Sequence, residues 1–316
     1  SPASPDGTAL DRIERAYADG RIDAPTRALL GLTLARSPAS LPAEFQPHAG
    51  EAPPRCGAML VRRAWLESDL GSFSEAQSAQ FAGGVARPNL DSSVAVLDSA
   101  GTTVIATVHY NTASTTLVAA EAAGAFVTES WTAQVEQRGW RVPPEDAGGG
   151  STADPDVDLD IYLDPAQNAA VTVPEGTGPE AWEDVPTVVV IDPTVANIQT
   201  FIAHELNHVL QYGYDAREAD MIYEATAVWM EDEIYDTVND YTFYVGDFQA
   251  APERALSYAT YEGSYMYGAA LFVHYLASFG GDGHLIEPLW DGMKQTGATN
   301  TVDFYDSVEE WERANT

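Results

Sequence analysis

The sequence predicts an α+β fold, with a small mixed sheet upstream of Asp192 and a mainly helical C-terminal half. Three observations carry that expectation. Asp156 to Leu163 (DVDLDIYL) alternates strictly, with Val157, Leu159, Ile161 and Leu163 on one side, the period of a half-buried strand. Thr187 to Ile191 (TVVVI) is a continuous β-branched run, as in a strand covered on both faces. From Asp192 almost to the end, the apolar spacing turns helical.

Residues 1–36 read as a helical hairpin. Thr8 followed by Asp11 has the form of a capping box, Leu10, Ile13 and Tyr17 space one helical face, and Gly20 stops it. A second helix starts near Asp23, carries Pro25 in its first turn and ends before Ser37-Pro38. Residues 37–55 are rich in Pro and Ala and read as an extended linker. Residues 94–109 look like two short strands around Ser99-Ala100-Gly101. A helix over roughly 117–138 follows, with Leu117, Phe126, Trp131 and Val135 apolar and Gly139 at its end. Pro143 to Asp156, with its GGGST core, is a loop. Three regions result: residues 1–55, a hairpin and linker that are also a candidate pro-segment; residues 56–192, an α/β subdomain with an edge strand; and residues 193–316, a helical subdomain.

Charge excludes several classes of partner. The chain has 48 acidic and 15 basic side chains, a formal net charge of −33, and Lys294 is its lone lysine. A nucleic-acid backbone needs a basic surface to replace its counterions, and anionic membranes want clustered Lys and Arg, so neither is an expected partner. No apolar run approaches the ~18 residues that span a bilayer. Dense carboxylates with so little lysine point to a salt-rich setting, where self-repulsion is screened. Cys56 is the lone cysteine, so no internal disulfide forms, and without a His-Asn partnership it is expected to be structural or inert. The chain opens at Ser1, and a processed product that is secreted or extracytoplasmic is expected. A monomer acting on a peptide or protein is the expected form.

Chemistry concentrates in residues 198–236. His204-Glu205-Leu206-Asn207-His208 is an HExxH sequence. On a helix, positions four apart sit one above the other about 6 Å apart, so two imidazoles can hold one metal ion. The Glu beside the first His can then take a proton from an ion-activated water. Phe201, Ile202, Leu206, Val209 and Leu210 mark the segment as a buried helix, where two His and one Glu are costly unless a metal compensates them. The plainer alternative is a pair of core histidines beside a surface glutamate.

A third ligand separates these readings. No His occurs between 208 and 274, so a third histidine soon after the motif is ruled out. Glu224 lies among Met221, Ile222, Tyr223, Ala225, Ala227, Val228 and Trp229, and an unpaired acid is costly in so apolar a helix. The chain between them is long enough for one helix to end near Gly213, turn through Tyr214–Arg217 and return antiparallel. Asp215, Glu218 and Asp220 are rival carboxylates, but they sit in the turn or at a helix start, where acids are favoured anyway.

HELNH followed by YEATAVWMED resembles the gluzincin clan of zinc metallopeptidases. The resemblance covers roughly residues 185–280, and the whole chain is similar to uncharacterised secreted bacterial metalloproteases of that clan. It implies a zincin-like fold with an active-site helix, one catalytic Zn2+ on His204, His208 and Glu224, and Glu205 as general base in peptide-bond hydrolysis. Ser264 to Leu271 (SYMYGAAL) is similar to the Tyr-x-x-Gly helix of the aminopeptidase-like branch, whose Tyr steadies an oxyanion. That match implies Tyr265 in the role, with Tyr267 in reserve. Three departures stand out. The spacing to Glu224 is shorter than in thermolysin-like enzymes. Position 228 is Val where those enzymes place an acid, leaving Glu231, one turn on, either to substitute behind a ligand or to be a solvated acid. No Gly-x-Met-x-Asn stretch is present, which favours an endopeptidase.

In that clan an edge strand lines the cleft and pairs with extended substrate; residues 156–163 and 187–191 are the two candidates. Asp154, Asp156, Asp158, Asp160 and Asp164 offer a weakly supported Ca2+ site, since the Gly of an EF-hand loop is absent, against acids on the solvent face of a strand. His274 reads as a satisfied core histidine, and His48, His109 and His284 fall in or near loops. The competing function is a non-catalytic binding or adhesion module with a vestigial or structural zinc site. A fourth protein ligand would favour it, because catalytic sites keep one position open.

Overall fold

A computed structural model of the chain describes residues 7–51, 54–142, 144–145, 159–166, 170–176, 178, 180, 182–256, 264–280, 284–294 and 303–315. In chain order its elements are α1 (Ala9–Ala18), α2 (Ala24–Arg36), α3 (Ala58–Asp69), α4 (Glu75–Gly84), β1 (Ser92–Leu97), β2 (Val104–Tyr110), α5 (Leu117–Trp131), β3 (Asp160–Leu163), β4 (Ala170–Pro174), β5 (Thr187–Ile191), α6 (Ile198–Gln211), α7 (Asp220–Tyr235), α8 (Thr242–Gln249), α9 (Tyr265–Gly268), α10 (Ala270–Gly280), α11 (Ile286–Gly292) and α12 (Phe304–Asn315). The mixed α+β class read from the sequence is the class observed.

Local chemistry starts the first hairpin. Thr8 and Asp11 close a reciprocal capping box, and the Asp23 side chain accepts from the Thr26 N–H at the start of α2. Residues 37–55 are less extended than their composition implies, because Pro38–Ser40 and Ala43–Phe45 form short 3-10 turns that bury Leu41 and Phe45. The predicted helix over 117–138 is interrupted. Its last turn, Thr132–Gln137, is π-helical, and the extra residue swings Gln134 into the interior.

The sheet is open and mixed, in the order β1-β2-β3-β5-β4. β1 and β2 pair antiparallel, β2, β3 and β5 run parallel, and β4 returns antiparallel to β5. Helices cover both faces. Tyr162, Val171, Val173, Val188 and Val190 pack with α1, α2 and α3, while Ile161, Leu163, Val189 and Ile191 pack with α5 and α6. Double coverage explains why β3 is wholly buried rather than half-buried as its alternation predicts. It also makes both strands expected at the cleft interior ones. The edge strand beside α6 is β4, which sequence reading passed over.

β5 leads into α6 through Asn197, held at φ 56°, a left-handed conformation that Asn tolerates better than most residues. The C-terminal helices build a separate aromatic-rich core around Tyr212, Tyr223, Trp229 and Trp290. Within it α9 presses on α8: a Cβ on Gly268 would meet the Tyr244 carbonyl oxygen and lie 2.8 Å from the Phe248 Cβ. Gly268→Ala is therefore expected to cost about 1–3 kcal/mol, read from the denaturant midpoint; an unshifted midpoint would show the contact to be loose. Among the described residues no helix is long and apolar enough to cross a membrane.

Candidate metal centre

The HExxH segment occupies the middle of α6, and α7 runs back along it. Gln211 reaches the Tyr223 carbonyl, His208 faces Glu224, and His204 faces both Glu224 and Glu231. His208, Glu205 and Glu224 are fully buried, and His204 is 1% exposed. Their apolar neighbours on the two helices, the feature that singled out Glu224, pack around the cluster.

Each imidazole is fixed through its Nδ1. Glu231 Oε1 lies 2.6 Å from His204 Nδ1. Gln211 Oε1 lies 2.8 Å from His208 Nδ1. Gln211 spends its amide hydrogens on Asn207 Oδ1 (2.9 Å) and Tyr223 O (3.1 Å), so its oxygen must accept and His208 Nδ1 must donate. Asn207 in turn donates to Gln134 Oε1 at 3.0 Å, and Gln134 donates to Ala203 O at 3.1 Å, which is the use of the π-helical turn. With both Nδ1 positions engaged as donors, both Nε2 lone pairs point inward.

What they meet is a carboxylate. His204 Nε2 is 3.2 Å from Glu224 Oε2, and His208 Nε2 is 3.8 Å from Glu224 Oε1. Among the described residues, His204 Nε2 and both Glu224 oxygens have no hydrogen-bond partner. Acceptors converge without a donor, a costly arrangement until a cation enters. The residues present fit a zinc ion: two imidazole nitrogens and a carboxylate, oriented from behind, are a donor set zinc takes readily. Without metal, a proton is the substitute. Burial alone would lower the His204 pKa, but Glu224 and Glu231 override it and hold it at about 10. His208 goes the other way, pushed well below its usual value by burial and by His204.

A fourth donor stands in the same space. The Cys56 Sγ lies 3.5 Å from His208 Nε2, and donor atoms of Cys56, His204, His208 and Glu224 all fall within 4.8 Å of one another. Nothing near position 56 announces this, since the contact depends on where the chain enters α3.

Glu205 is the remaining acid. Thr172 of β4 donates to its Oε2 at 2.7 Å, the Cys56 thiol interacts with the carboxyl group, and among the described residues no conventional donor reaches its Oε1. Burial raises its pKa, with His204 and the Thr172 hydroxyl opposing.

Glu231, flagged by its spacing, is no solvated acid. It is 1% exposed and held by both terminal guanidinium nitrogens of Arg55, with Nη1 at 2.8 Å. Glu231→Gln removes the charge behind His204 and is expected to weaken zinc binding about 10- to 100-fold, measured by competition with a chromophoric chelator. An unchanged affinity would reduce Glu231 to a partner for Arg55.

The rival carboxylates turn elsewhere. Asp215 accepts from the Arg217 N–H, Glu218 from the N–H groups of Ala219 and Phe304, and Asp220 pairs with Arg62. The two tyrosines part company. Tyr265 directs its hydroxyl at the carbonyls of Arg254 and Ala255, 3.4 Å from each. Tyr267 feels the cluster's charges: burial raises its pKa well above the usual value, reinforced by Glu224 and Cys56 and opposed by Arg55.

Of the acids offered to Ca2+, Asp154, Asp156 and Asp158 lie outside the described residues. Asp160 is buried between Arg87 (2.7 Å) and His109 (2.6 Å), so His109 belongs to β2 and has a partner rather than lying in a loop. His274 is half-buried on α10, 3.7 Å from Asp232.

No protein-family profile, curated protein or solved structure matches the chain.

Proposed function

We propose that the chain is a zinc-dependent peptidase of gluzincin type, hydrolysing internal peptide bonds outside the cytoplasm. The observation that carries the reading is Glu205. A site that only stores a metal has no use for a second buried carboxyl group beside it, tethered at one oxygen by Thr172 and bare at the other. A general base needs that state. One oxygen is fixed, the other is open to accept, and burial raises the pKa above an ordinary glutamate's.

His204, His208 and Glu224 would hold the zinc ion, which would supply Lewis acidity to the site. Glu205 Oε1 is the group that would take a proton from the attacking water and return it to the leaving amine. Glu231 and Gln211 keep the two imidazoles in the tautomer that presents Nε2. Tyr267, whose phenol feels the Glu224 charge, is a better candidate than Tyr265 to donate to a developing oxyanion, because the Tyr265 hydroxyl is turned to the Arg254 and Ala255 carbonyls. β4, an edge strand joined to α6 through Thr172, is the natural rail for extended substrate backbone, and this edge-strand-beside-HExxH arrangement supports the zincin-like reading. A net charge of −33 favours neutral or basic peptide segments at low salt.

One observation favours a second reading. The position of Cys56 makes four protein donors, as in a structural zinc site, and the chain would then be a binding module. The two separate on peptide hydrolysis by the zinc-loaded chain compared with Glu205→Gln. Hydrolysis that persists in the variant, or none in any form of the chain, removes the peptidase reading.

A further inference from the structure

Cys56 is not near the cluster by accident of a loose loop. Each residue around it is tied down. Arg55 grips Glu231, the acid behind His204. Cys56 bridges to Ala170 at the β4 edge, and the Gly57 N–H donates to the Ala170 carbonyl at 2.9 Å. Gly57 is confined, because a Cβ there would lie 3.0 Å from the Ala35 Cβ. The Ala58 N–H, at the start of the 12-residue α3, donates to the Cys56 sulfur at 3.3 Å. The sulfur is thus delivered to His204 Nε2, His208 Nε2 and Glu224, groups with no other protein donor to satisfy them.

Two features coincide in this segment. It supplies the donor that completes a four-ligand shell, and it lies on the same edge of β4 that an extended peptide would use. We infer that the Cys56 thiolate is the fourth protein ligand of the zinc centre, and that Arg55–Gly57 hold the enzyme closed until that sulfur leaves. Closing and opening need no oxidant. On binding, the Cys56 S–H bond breaks, its proton goes to solvent and a sulfur–zinc bond forms; on opening, the sulfur takes a proton back and water fills the place. The ligand assignment stands on geometry alone. The latch rests on the peptidase reading above.

The test uses the full zinc-loaded chain. X-ray absorption at the zinc edge should show one sulfur neighbour at about 2.3 Å beside lighter N/O neighbours. A shell of nitrogen and oxygen only would overturn the assignment, whatever the activity. Cys56→Ser and Cys56→Ala, loaded to one zinc, should then hydrolyse an unstructured neutral peptide at least about tenfold faster than wild type, because the closed fraction is removed. A sulfur shell with variants no faster than wild type overturns the latch. If in addition no form of the chain hydrolyses peptide, the peptidase reading falls and Cys56 remains a ligand. An N/O shell with active wild type does the reverse.

Discussion

Glu205→Gln is expected to lower peptide hydrolysis by two to four orders of magnitude while zinc stays bound at one equivalent, the range for loss of a general acid–base group. The substitution is nearly isosteric, and the Thr172 hydroxyl can donate to the new amide oxygen as it does to Glu205 Oε2. His204, His208 and Glu224 keep their supports, since neither Glu231 nor Gln211 contacts the changed atoms. What disappears is the basic oxygen, Oε1, that Glu205 presents to the cluster without a hydrogen bond among the described residues. Folding should be preserved or slightly improved, because a buried carboxylate with a raised pKa is a burden on the native state. The measurement is kcat with zinc content determined on the same sample, in wild type and in Cys56→Ala, so that the state of the thiol does not mask the result. Unchanged kcat in both backgrounds would end the assignment.

Zinc is expected to raise the stability of the folded chain by about 4 kcal/mol at free zinc a thousandfold above its dissociation constant. Glu224→Ala or His208→Ala should abolish that gain. The effect depends on pH with a definite sign. His204 titrates at about 10 in the metal-free fold, above its ordinary value of 6.5. Its proton therefore stabilises the metal-free protein fully below pH 6.5, and that contribution fades as pH rises through about 10. Zinc must displace the same proton. Between pH 7 and 9 its apparent affinity should climb about tenfold per pH unit for each proton released. Burial also pushes the Cys56 thiol well above its usual value, so a ligating sulfur adds a second proton to the count. Zinc titrations at several pH values, followed by thermal unfolding, read both quantities. Affinity flat across that range would mean that the imidazoles are already unprotonated and the Glu224–Glu231 field at His204 is misjudged.

The part of the site visible in the sequence is the part that lies along two helices. His204, Glu205 and His208 share a turn-and-a-bit of α6, and Glu224 and Glu231 stand seven residues, two turns, apart on α7, so helical period alone aligns them. Gln211, three residues after His208, was open to the same reasoning. Thr172 and Cys56 were not. Each reaches the cluster through sheet order: β4 lies outside β5 and beside α6, and Cys56 lies outside β4, an arrangement no local pattern encodes. The same cause put the expected edge strand in the wrong place. Residues 160–163 and 187–191 look like strands, but which strand ends a sheet is decided by crossovers rather than by side-chain alternation. Tyr265 and Tyr267 are two residues apart on a short helix, so although both are buried they face different ways, and a motif match could not say which one feels the Glu224 charge.

The π-helical turn at Thr132–Gln137 places an unusual requirement on the chain, one of residue number rather than residue type. Gln134 meets Asn207 because that turn holds one residue more than an α-helix would, and Asn207 holds the amide that orients His208. A single deletion there would restore ordinary winding and turn the flanking segments by about 100° relative to each other, with every side chain unchanged in kind. Substitutions along this stretch are tolerable wherever the side chain is exposed. Insertions and deletions are not, because they act on His208 from two residues away in contact and far away in sequence.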